Sequence, residues 1–86
     1  MRSIFVPRSL TEPRRFKRRS PIPLRPVSLW RIESGVVRTL TWLEDGSTVT
    51  LGLCGAGDVV GEPLSTLNPY QIECLTEVEA IPLSPN

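Results

Sequence analysis

The sequence predicts an all-β fold, an antiparallel jelly roll or barrel, preceded by an irregular basic arm. Three observations predict it. Short runs rich in β-branched and aromatic residues are separated by turn signals about every 8 to 12 residues. Apolar and polar residues alternate with the period of a strand, and nothing after residue 27 recurs at the i, i+3, i+4 spacing of an amphipathic helix. With 86 residues, the chain makes one domain at most and buries only a modest share of its surface.

The arm, residues 1–26, is set apart by charge and by proline. It holds seven Arg and one Lys against Glu12 alone, whereas residues 27–86 hold two Arg against eight acids, so a basic arm precedes an acidic body. Five of the nine prolines lie in the arm, and proline lacks the amide hydrogen that helices and ladders use. Extended or irregular chain is expected. "RRFKRRS" (14–20) groups Arg14, Arg15, Lys17, Arg18 and Arg19 around Phe16. "PIPLRP" has the character of a short edge strand, where proline is tolerated.

The body, residues 27–86, reads as successive strands. "SLWRIES" puts Leu29, Arg31 and Glu33 on one face and Trp30, Ile32 and Ser34 on the other, and Gly35 then marks a turn or bulge. "VVRTLTWL" is rich in strand formers, and Asp45-Gly46 favours the positive φ of a tight hairpin. "TVTLGLC" alternates Val49, Leu51 and Leu53 against Thr48, Thr50 and Gly52, which gives one plainly apolar face. "GAGDVVGEPL" (55–64) supplies a glycine turn, a short strand and a corner. "STLNP" reads as a loop, and "YQIECLTEVEAIPL" alternates through Ile72, Cys74, Val78 and Ala80.

Several function classes are disfavoured. The chain has no His, no nucleophile–base pair and no metal-ligand spacing, so neither an enzyme nor a metal or cofactor site is expected. Cys54 and Cys74 form no CxxC and read as small buried hydrophobes, with a disulfide or a reactive thiol as the alternatives. No apolar run reaches the roughly 20 residues of a membrane span, and residues 1–10 lack the pattern of a secretory signal. A cytoplasmic protein is expected.

Three ordered motifs carry a family resemblance: the strand ending at Gly35, the hairpin at Asp45-Gly46, and the run Gly55, Gly57, Asp58, Gly61, Glu62. On these, residues 28–83, and the arm from Phe16, resemble the β-roll of the cyclic-nucleotide-binding superfamily. The likeness is in particular to the effector domain of the Crp/Fnr family of bacterial transcription regulators. It implies a cupin-like double-stranded β-helix with a regulatory, non-enzymatic role. In members that bind a cyclic nucleotide, the Gly-Glu pair opens a phosphate cassette, the Glu accepts from the ribose hydroxyl, and an Arg followed by Ser or Thr neutralises the phosphate.

The same alignment makes Gly61, Glu62, Asn68, Pro69 and Tyr70 the ligand-site candidates here, in a degenerate cassette. Asn68-Pro69 stands where the Arg-Ser pair belongs, and no Lys or Arg follows Arg38. An unpaired buried phosphodiester costs on the order of several kcal/mol in desolvation, so cyclic AMP is not the expected effector. The family continues into a dimerisation helix and a DNA-reading helix-turn-helix, and the expectation is a relative truncated before both.

Competing readings stay open at several positions. Glu62 either recognises a ribose or satisfies turn amides beside Gly61. Arg14, Arg15, Lys17, Arg18 and Arg19 either contact nucleic-acid phosphates or form a solvated tail or a cover for the acidic body. Trp30 and Trp42 either pack in a core or interface or stack on a ligand. Uncovered strand edges and apolar surface lead us to expect a homo-oligomer, a dimer foremost. A protein partner or nucleic acid through the arm are further possibilities, and a purely structural association module is the third functional reading.

Overall fold

The computed structural model describes residues 12–64 and 69–83. Seven strands form: β1 (Arg14–Phe16), β2 (Leu29–Ser34), β3 (Val37–Trp42), β4 (Thr48–Cys54), β5 (Val59–Gly61), β6 (Gln71–Cys74) and β7 (Val78–Pro82), with one 3-10 turn at Glu62–Leu64. Among the described residues there is no α-helix. Every strand pair is antiparallel. One sheet runs β1-β7-β2-β5 and the other β4-β3-β6, which is the two-sheet roll that the alternating pattern predicts.

Alternation places the core between the sheets. Trp30 and Ile32 of β2, Val78 and Ala80 of β7, and Val60 of β5 point inward from one sheet; Val37 of β3 and Ile72 and Cys74 of β6 meet them from the other. Apolar burial of this kind contributes roughly 25 cal/mol per Å², and here it is the main term holding two thin sheets together.

Two departures from strict alternation come from bulges. Ile32 lies opposite Ala80 but Ser34 lies opposite Glu79, which leaves Glu33 as an extra residue in β2. A bulge residue breaks the period of two, so Ser34 is exposed rather than facing inward with Trp30 and Ile32. In the other sheet, Thr39 pairs with Gly52 and Leu40 with Thr50, so Leu51 is extra in β4. The bulge splits the apolar row of β4, and all three of its residues are exposed: Val49 and Leu51 are each 40% exposed and Leu53 is 68% exposed. Leu53 lies opposite Arg38, whose guanidinium donates outward to Glu73 and Thr50. Trp42, at the end of β3, is likewise exposed.

The described part of the arm is extended chain bound to both sheets. Arg14, Arg15 and Phe16 pair with Ala80, Glu79 and Val78 at the edge of the first sheet. The chain then turns through residues 17–20, where the Ser20 amide donates to the Lys17 carbonyl, and runs along β6. There the Arg19 and Ile22 amides donate to the Cys74 and Ile72 carbonyls, the Cys74 amide donates to Ser20, and Pro21 bridges to Glu73. "PIPLRP" thus supplies an edge contact at its start, and Ile22 enters the core.

Trp30 fixes this arrangement. It is 1% exposed, its Nε1–H donates to the Pro23 carbonyl at 2.9 Å, and the Phe16 ring meets it edge-on at 5.4 Å between centroids. The Arg14 guanidinium lies 5.5 Å from the centre of the indole ring, within cation–π range. Core packing is therefore the role of Trp30 and Phe16, and ligand stacking is excluded for Trp30.

Both cysteines are free. Val37 is paired with Cys54 on one side and with Cys74 on the other, so two strand spacings, roughly 9–10 Å, separate their Cα atoms. A disulfide needs less than about 7 Å. Burial pushes both thiols above their ordinary values, with Asp58 adding to the effect at Cys54, so neither is an activated nucleophile.

Candidate functional site

The glycine turn joins the two sheets. The Asp58 amide donates to the Gly55 carbonyl, while the Gly55 amide donates back to the Asp58 carboxylate at 2.8 Å. Gly57, at φ 91°, donates its amide to the Ile32 carbonyl, and the Ile32 amide donates to the Asp58 carbonyl. The Gly57–Asp58 side of the turn is thereby tied to β2. Positive φ at Gly57 is what the turn requires of a glycine, and Asp58 is used in closing it.

β5 then brings Gly61 against Leu29 of β2. A Cβ at Gly61 would collide with the Ser28 carbonyl and the Leu29 Cα. The glycine is needed for strand packing before any ligand is considered.

Of the cassette candidates, Gly61, Glu62, Pro69 and Tyr70 are described, and Asn68 lies outside the described residues. Gly61 and Tyr70 are in contact: burial raises the Tyr70 hydroxyl above its ordinary value, and a hydrogen bond with the Gly61 backbone opposes the shift. Pro69 is held by the Thr41 hydroxyl, which donates to its carbonyl at 2.5 Å. Glu62 begins the 3-10 turn, and its carboxylate is paired with Arg25 at 3.2 Å. Sequence reading assigned Arg25 to the arm and did not anticipate this contact, because 37 positions of sequence separate the partners. Nothing local in either segment signals it.

The five arm cations divide into two groups. Arg15 is bound to Glu79 at 2.9 Å, and the Glu79 and Glu77 carboxylates raise its pKa above the ordinary value. Arg14 lies over Trp30. Lys17, Arg18 and Arg19 are exposed at the turn between the sheets, and among the described residues no carboxylate pairs with them. Between β3 and β4, the Ser47 hydroxyl and amide hold the Asp45 carboxyl below its usual range and close the Asp45-Gly46 hairpin. Among the described residues no helix is long and apolar enough to cross a membrane, and no group of three or more His, Cys, Asp or Glu is gathered as for a metal.

Two antiparallel sheets joined by a glycine turn that leads into a Gly-Glu corner make a β-roll. No protein-family model matches the chain. It is 49% identical over 67 residues to regulatory protein CysR of Synechococcus elongatus, a match covering 78% of this chain and 32% of that protein. It is similar to TTHB099, a CRP-family transcriptional regulator from Thermus thermophilus, at 35% identity and a TM-score of 0.70, covering 84% of this chain and 40% of that one. A CRP/FNR-family regulator from the same organism, TTHA1359, gives 29% identity and a TM-score of 0.72, covering 87% and 42%. The chain spans about a third to two fifths of the length of these proteins.

The chain is a partial effector-like domain similar to that of Crp/Fnr-family transcription regulators. These relatives are regulators rather than enzymes, in keeping with the non-enzymatic reading of the sequence.

Proposed function

We propose that the chain acts as the regulatory domain of a cytoplasmic transcription regulator and does not take cyclic AMP as its effector. The observation that carries this reading is the Arg25–Glu62 pair. The residue that resemblance assigns to the ribose is engaged by the chain's own cation, while Asn68-Pro69 stands in place of the phosphate-binding Arg. A melting experiment with about 1 mM cyclic AMP or cyclic GMP tests it. A ligand present at about 100 times its Kd adds roughly 2.7 kcal/mol, which is several degrees for a domain of this size. The expected midpoint is unchanged, and a rise of several degrees with either nucleotide overturns the reading.

The exposed apolar row of Val49, Leu51 and Leu53, with Trp42 near it, supports association with a second copy or a protein partner, which light scattering tests directly.

A second reading, contact with nucleic acid, is favoured by Lys17, Arg18 and Arg19, which are exposed and have no carboxylate partner among the described residues. Phosphate contacts release counterions, so affinity falls steeply with salt. Replacing all three cations by Gln is expected to remove duplex binding measured at low salt. Unchanged affinity in that variant removes the reading.

A further inference from the structure

We infer that the cavity between the 17–20 turn and the outer face of β6 and β3 is a binding site for a small phosphate-bearing anion. It has a volume of about 380 Å³ and is lined by Arg18, Arg19, Arg38, Glu73, Cys74 and Leu75. That is within the range of small-molecule sites, and it is separate from the Gly61–Glu62 cassette.

The charge of the lining is the first argument. Three arginines and one glutamate are among the residues that line it, in a body that is otherwise acidic. Glu73 is already engaged by Arg38, whose Nε donates to it at 2.6 Å, and Arg38 Nη1 donates to Thr50 at 3.1 Å. These two contacts orient the Arg38 guanidinium and leave its other donors available. Arg18 and Arg19 have no carboxylate partner among the described residues. Planar guanidinium groups match the oxygens of phosphate bidentately.

Backbone geometry is the second argument. Arg19 has φ 72°, a left-handed conformation that a non-glycine residue adopts only at a steric cost. It is held there by its own amide, which donates to the Cys74 carbonyl at 2.7 Å, and by the Ser20 amide and hydroxyl, which both donate to the Lys17 carbonyl. Non-glycine residues kept in this region gather at ligand sites. The turn thus holds Arg18 and Arg19 at the rim of the cavity whose far side Arg38 forms.

Titration of nitrogen-15-labelled protein with inorganic pyrophosphate tests the site. Saturable shifts are expected at Arg18, Arg19, Arg38 and Glu73, with a Kd below about 1 mM. The double variant Arg18→Gln/Arg19→Gln alters exposed side chains without ion pairs among the described residues, so it is expected to fold and to bind at least about tenfold more weakly. Arg38→Gln is expected to do the same, with its own amide spectrum, unchanged away from the cavity, guarding against loss of fold. Linear, unsaturated shifts, shifts centred elsewhere, or unaltered affinity in Arg18→Gln/Arg19→Gln overturn the inference. Far tighter, steeply salt-dependent binding of a short single-stranded DNA at the same residues also overturns it, in favour of an extended nucleic-acid surface. Cyclic AMP also carries a phosphodiester, so the two readings are separated by residue: shifts at Gly61 and Glu62 report the cassette, and shifts at Arg18, Arg19 and Arg38 report this site.

Discussion

Replacing Trp30 with Ala is expected to cost about 3–5 kcal/mol of folding stability, the usual range for deleting a buried aromatic. Three losses coincide. The largest buried side chain is removed from between the sheets, the Pro23 carbonyl loses its donor, and Phe16 and Arg14 lose the ring against which they pack. A small domain holds only about 5–15 kcal/mol in total, so the variant lies near the limit of folding. Urea denaturation followed by circular dichroism checks it. Trp30→Phe keeps most of the apolar contact but leaves the Pro23 carbonyl unpaired and is expected to fall between, at about 1–3 kcal/mol. Trp42→Ala, at an exposed position, is expected to stay within about 0.5 kcal/mol. Equal losses at Trp30 and Trp42 contradict this account of the core.

Gly61→Ala carries the second large effect. The added methyl meets backbone on the neighbouring strand, the Ser28 carbonyl and the Leu29 Cα, as well as the Leu29 side chain. Backbone cannot yield as a flexible side chain can, so β5 must separate from β2. Overpacking costs of about 1–3 kcal/mol are usual, and here a strand pairing is at stake as well, so about 3 kcal/mol is expected. The urea midpoint of the variant separates two meanings of the Gly-Glu corner. A fall of this size assigns Gly61 to architecture. An unchanged midpoint leaves it available for a ligand role and contradicts the packing argument.

Much of the fold was legible because period-two patterning and turn chemistry are local. Trp30 and Ile32 on one face of β2, the hairpin at Asp45-Gly46 and the inward row of Ile72, Cys74, Val78 and Ala80 all follow from neighbouring residues. What escaped is non-local. A bulge inserts one residue without changing composition, so Leu51 and Glu33 left no mark, and the apolar row of β4 could not be assigned to solvent or core.

Charge asymmetry marks out a basic arm and an acidic body but not which charges meet, and in the structure Arg15 pairs with Glu79 and Arg25 with Glu62. Those pairings depend on strand order, which no local pattern encodes. Exposed ion pairs of this kind contribute little stability, about 0–1 kcal/mol each. Their importance here is in deciding which charges remain for a ligand: Lys17, Arg18, Arg19 and part of Arg38 remain, and Glu62 does not.

Calorimetric titration of cyclic AMP into the wild-type chain and into Arg25→Ala tests the central claim most directly, because Arg25 is the cation that pairs with the cassette carboxylate. With Arg25 serving only as the partner of Glu62, neither protein binds cyclic AMP with micromolar affinity. Micromolar binding by the wild type that disappears in Arg25→Ala contradicts the claim, since it makes Arg25 the missing phosphate ligand and the cassette a working one.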